Sequence, residues 1–101
     1  MKEATSNAPR FDADEILEGI RSWVMVESPT HHADGVNRLM DLAEREMITL
    51  GASIERESAG EDYADVLRAR IQGQREGPGI LVLGHLDTVH GIGTLENELP
   101  Y

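Results

Sequence analysis

His85 and Asp87 are the side chains in this sequence whose types and spacing best suit chemistry. They lie in the segment Gly79-Ile-Leu-Val-Leu-Gly-His-Leu-Asp-Thr-Val-His-Gly-Ile-Gly-Thr-Leu95. A neutral imidazole binds zinc through one ring nitrogen at about 2.0–2.1 Å. Its second nitrogen then carries a proton and needs an acceptor. A carboxylate two residues away can take that proton's hydrogen bond, fixing the tautomer and making the ring more basic. Residues two apart in an extended chain face the same way, so the geometry is feasible. On this reading His85 is a metal ligand and Asp87 the acid that steadies it. A bare His-x-Asp spacing is more often a structural or solvated pair. What argues for a site is the context: an apolar run before it, Gly84 beside it, and a loop with Gly91 and Gly93 after it.

Such a pair needs elements to position it. Ile80-Leu-Val-Leu is continuously apolar, which suits a strand covered on both faces, as in an α/β sheet. Ligand and metal sites in open α/β sheets gather at the carboxyl ends of strands, where His85 falls. Upstream, Asp12 with Glu15 three residues later predicts the start of a helix. Ile16, Leu17, Ile20, Trp23 and Val24 recur at helical spacing, and the helix should end near Val26 because Ser28 precedes Pro29. Asp34 can cap a second helix, with Val36, Leu39, Met40, Leu42, Ala43, Met47 and Leu50 as its apolar stripe. Gly51 falls where a left-handed residue should close it. Residues 52–57 predict a short strand, 58–62 a turn, 64–71 a half-buried strand, and 72–78 a hairpin-like loop. Residues 1–11 are polar and aperiodic and read as a loose tail. The order of helices and strands fits an α/β layer fold.

Composition narrows the partners. The formal charge of −10 disfavours phosphate backbones and anionic membranes, so neither nucleic acid nor a membrane is expected as a partner. Acidity alone reads as solubility rather than metal binding. With no cysteine there is no disulfide scaffold and no thiolate zinc site, so any metal must rest on His, Asp and Glu. The N-terminus lacks the apolar core of a secretory signal and no stretch reaches membrane-spanning length, which leads to a cytoplasmic expectation.

The remaining candidates have blander readings. His90 could be a second ligand, but it sits between glycines and reads as an exposed loop residue. His31 and His32 are adjacent, which rarely lets two rings reach one ion; they read as solvated residues near a helix start. Glu96 and Glu98 read as solvated loop acids, and Glu55, Glu57, Glu61 and Asp62 as an exposed rim. Trp23 and Met40 read as core. Gly77-Pro-Gly precedes a strand and lacks the pattern of a phosphate loop, which weakens a nucleotide-binding reading.

The segment Leu81-Val-Leu-Gly-His-Leu-Asp-Thr-Val89 resembles the first signature of the M20 metallopeptidases, a group that includes glutamate carboxypeptidases, acetylornithine deacetylases, succinyl-diaminopimelate desuccinylases and aminoacylases. His90-Gly-Ile-Gly-Thr-Leu95 is most similar to the glutamate carboxypeptidase branch. The upstream order is similar too: a helix, Glu-Ser-Pro-Thr (27–30), a second helix, Leu-Gly (50–51), then two strands. The resemblance runs from about residue 12, but only residues 81–95 are specific.

The resemblance implies a three-layer α/β/α zinc-peptidase-like catalytic domain with a mixed sheet, of which residues 12–101 would be the N-terminal part. It implies His85 as the first zinc ligand and Asp87 as the catalytic acid supporting it. It implies one or two Zn2+ ions, with other divalent metals as alternatives, and a small peptide or N-acyl amino acid as substrate. A full-length parent would be a homodimer. The family's bridging Asp, Glu-Glu pair, further carboxylate ligand and late His have no counterparts here. The expectation is therefore an N-terminal fragment of an amide-cleaving metallohydrolase, inactive by itself. The alternative is a non-catalytic truncated product or a protein-interaction piece.

Overall fold

Local capping and helical periodicity produce the first element. The computed structural model describes residues 9–99, and α1 spans Ala13–Val24. The Asp12 carboxylate accepts from the amides of Asp14 (2.9 Å) and Glu15 (3.2 Å), so the predicted cap is present. The helix closes at Met25, one residue short of the expected end. No residue of α1 is buried; Ile16, Leu17, Ile20 and Val24 all stay exposed. Trp23, expected in the core, is half-buried, and its Nε1 donates to Glu46 Oε1 at 3.4 Å.

Helix α2, Ala33–Thr49, carries the core. Val36, Leu39 and Ala43 are buried along the expected stripe, with Met40 half-buried beside them. Its cap differs from expectation. His32, not Asp34, is the N-cap residue, and its Nδ1 accepts from the Gly35 amide at 3.0 Å. The cap needs non-helical backbone and an acceptor reaching an amide two or three residues on, which His32 supplies and Asp34, already inside the helix, does not. Gly35 is required here: a Cβ would lie 2.4 Å from the Glu27 carbonyl oxygen. Gly51 closes α2 with φ 90°, as predicted.

Strands β1 (Ser53–Glu57) and β2 (Val66–Arg70) pair antiparallel, from Ser53 opposite Arg70 to Glu57 opposite Val66. Both pack against α2. Arg56 fastens this contact: it reaches Asp65 (2.7 Å), Asp41 (2.6 Å), Glu44 (3.3 Å) and the Asn37 carbonyl (3.3 Å). Asn37 Oδ1 in turn accepts from the Asp65 amide at 2.8 Å. A short helix α3 spans Thr94–Asn97.

The largest departure from expectation is Ile80–Leu83. It forms no strand, and its four side chains are 80–94% exposed. A strand covered on both faces requires paired neighbours and packed layers. The described sheet has two strands, β1 and β2, and neither pairs with this run. The chain is thus a small mixed α/β unit with a two-stranded antiparallel sheet. Of the predicted tail, residues 9–11 are irregular and exposed, and residues 1–8 lie outside the described residues, as do 100–101. Among the described residues no helix is long and apolar enough to cross a membrane.

Candidate metal-ligand site

A stretch ahead of α2 and the segment that carries His85 and Asp87 build the site together. Residues 28–30 run parallel to residues 86–88, with Pro29 bridged to Thr88. The Thr88 amide donates to the Ser28 carbonyl (2.8 Å), and the Thr30 amide donates to the Thr88 carbonyl (3.1 Å). Ser28, buried, donates its hydroxyl to the Leu86 carbonyl at 2.9 Å. These bonds hold residues 86–88 although the preceding apolar run is unpaired.

The imidazole of His85 turns toward Asp87. Its Nδ1 lies 3.0 Å from Asp87 Oδ1 and 3.0 Å from the Asp87 carbonyl oxygen. An ionised carboxylate and a carbonyl only accept, so Nδ1 must carry the proton. In the neutral ring that leaves the lone pair on Nε2, and the side chain is 81% exposed. The other carboxylate oxygen, Asp87 Oδ2, accepts from Thr30 Oγ1 at 2.7 Å. The Thr30 hydrogen bond is the main reason the Asp87 carboxyl sits below its ordinary range. Partial burial opposes that effect and His85 adds to it. Asp87 therefore stays ionised and available to the imidazole.

The backbone alternation separates two environments. His85 and Asp87 share one side, while Leu86 and Thr88 line a cavity of about 530 Å³ with Ile20, Trp23, Leu39 and Leu95. The loop beyond is held by Glu27, whose carboxylate accepts from the Gly93 amide (2.9 and 3.0 Å) and the Leu95 amide (3.2 Å). Those two bonds, Gly93 foremost, keep its carboxyl below the ordinary range against slight desolvation.

The other candidates do not join the pair. His90 is exposed and lines the cavity, and Glu96 and Glu98 are exposed. Glu55, Glu57, Glu61 and Asp62 are exposed as expected, with Glu57 bonded to Arg68 at 2.7 Å. His31 is solvated, whereas His32 is committed to its helix cap. Gly84 beside His85 stands in open space, where a Cβ would meet nothing within 4 Å. Thr30 and Ser28 were missed as site residues. The only sequence signal for them was the Glu-Ser-Pro-Thr order, whose contact with residues 86–88 spans nearly sixty residues of chain.

The donor set can be weighed against zinc. His85 fits one ligand position, with an open Nε2 and a carboxylate behind it. Among the described residues no group of three or more His, Cys, Asp or Glu side chains could hold an ion, and zinc sites use three or four protein ligands. Among the described residues the donor set therefore falls short of a complete zinc site. No family model, curated protein or solved structure matches this chain.

Proposed function

We propose that this chain is the N-terminal part of a zinc-dependent metallohydrolase that cleaves an amide bond, acting in the cytoplasm. The reaction is that of a carboxypeptidase releasing a C-terminal amino acid such as glutamate, or of an N-acyl amino acid deacylase. In it His85 is one metal ligand and Asp87 the acid that orients it, within a three-layer α/β/α catalytic domain. One observation carries the reading: a solvent-facing imidazole with Nδ1 engaged by Asp87 at 3.0 Å and Nε2 open. Zinc, when bound, would polarise the scissile carbonyl and lower the pKa of bound water. Among the described residues no complete set of ligands is present.

A zinc titration of the chain, followed by long-range proton–nitrogen NMR of the imidazoles, tests the ligand role. His85 Nε2 is expected to respond first, and Asp87→Asn to weaken its apparent affinity by about 10-fold. Response at His31, His32 or His90 with none at His85 would overturn the proposal. An amide-hydrolysis assay with zinc is expected to show no turnover. Turnover abolished by His85→Ala would refute the inactivity of the isolated chain.

The exposed Ile80–Leu83 run favours a second reading, a non-catalytic interaction piece. Sedimentation velocity separates the two: a stable, defined complex through this run without any zinc response at His85 supports the second.

A further inference from the structure

We infer that Thr30 is a positioning residue for His85: its hydroxyl fixes the Asp87 carboxylate so that the His85 ring is held with Nδ1 protonated and Nε2 facing out. This deepens the proposed function and rests on it for its importance, though the tautomer itself exists without any metal.

The inference follows from how the Asp87 carboxylate is shared. Its two oxygens have separate partners, Thr30 Oγ1 on Oδ2 (2.7 Å) and His85 Nδ1 on Oδ1 (3.0 Å). A carboxylate on a single Cβ rotates about its terminal torsion, a broad and roughly two-fold one. With one oxygen held by a short hydroxyl bond, the other points in one direction, toward the imidazole. The hydroxyl has one proton and two nearby acceptors, Asp87 Oδ2 at 2.7 Å and the Thr88 carbonyl at 3.3 Å. The shorter, charge-assisted bond to the carboxylate prevails.

The Thr30 backbone is itself immobilised. Its amide donates to the Thr88 carbonyl, and the preceding Pro29 has a fixed φ. The hydroxyl is therefore delivered from a rigid support on a different part of the chain. His85 and Asp87 lie in an otherwise irregular segment, where the His-x-Asp spacing alone would leave both side chains free to turn to water.

The experiment measures the His85 tautomer by long-range proton–nitrogen NMR in the metal-free chain, at a pH where the ring is neutral. The wild type is expected to show mainly the Nδ1–H form. Thr30→Val, which keeps the shape and removes the hydroxyl, is expected to shift His85 toward the Nε2–H form, while Thr30→Ser restores the wild-type signature. The His32 ring, whose Nδ1 accepts from Gly35, should keep the opposite tautomer in every variant. An unchanged His85 tautomer in folded Thr30→Val would overturn the inference. Should that variant unfold, the Thr30 χ1 couplings of the wild type decide: one fixed rotamer supports the inference, and rotamer averaging refutes it. Zinc is absent throughout, so a failed ligand role and a failed positioning role give different results.

Discussion

Ser28→Ala should loosen the site without touching its chemistry. Ser28 is 3% exposed, and its hydroxyl donates to the Leu86 carbonyl at 2.9 Å. Removing it deletes one hydrogen bond and leaves a carbonyl with less satisfaction beside an apolar cavity, which costs about 1–3 kcal/mol. Because the cavity is open enough to admit water, the lower half of that range applies, about 1–2 kcal/mol. For a chain of this size the urea m-value is about 1 kcal/mol/M, so the unfolding midpoint should fall by about 1–2 M. Hydrogen exchange supplies the local readout. The Thr88 and Thr30 amides, bonded to Ser28 and Thr88 carbonyls, should exchange faster, while the Asp65 amide on Asn37 should change only as global stability does. If the midpoint and the Thr88 protection both stay at wild-type values, the 28–30/86–88 pairing is not what holds the site.

Three further perturbations test the scaffold. Arg56→Met removes the ion pairs to Asp41, Asp65 and Glu44. Since the guanidinium is only partly exposed, a loss of about 1–3 kcal/mol is expected, read as a fall in melting temperature of about 4–8 °C per kcal/mol. Acidification tests Glu27 and Asp87. Both carboxyls titrate lower in the folded chain than in the unfolded one, so their contribution is complete above the unfolded values of about 4 and disappears as pH falls through the folded ones. Melting temperature should therefore drop below about pH 4, and Glu27→Gln should flatten part of that drop. Finally, Val82→Lys should leave the melting temperature unchanged, because Val82 is 84% exposed, and should raise solubility measured by light scattering. A marked loss of stability would mean that the run is covered in solution.

The parts of the fold that were legible in the sequence are those set by local rules. Asp12 caps α1 because the acceptor and amides lie within three residues, and Gly51 closes α2 because a left-handed φ suits glycine. The stripe through Val36, Leu39 and Ala43 is buried because its period matches the helix. Two residues apart in sequence, His85 and Asp87 are within reach of each other, which made the pair legible, although not what holds it. What escaped depends on distant partners. Ile80–Leu83 has strand composition, but composition does not supply a neighbour to bond with, and the run is bare. His32 displaced Asp34 as the cap through the start point of α2, a two-residue shift that propensity does not decide. Ser28 gains its role from Leu86, fifty-eight positions away, and Thr30 from Asp87, fifty-seven away.

Pro29 gives the parallel pairing a built-in error check. Were residues 28–30 to slide by one position so that Pro29 took the place of Thr30, the Thr88 carbonyl would meet a nitrogen with no hydrogen to offer. A slide the other way would carry the Thr30 hydroxyl off Asp87 and reverse which side chains look toward the cavity. Misalignment in either direction forfeits a bond, so the proline and the threonine together act as a ratchet that admits a single alignment.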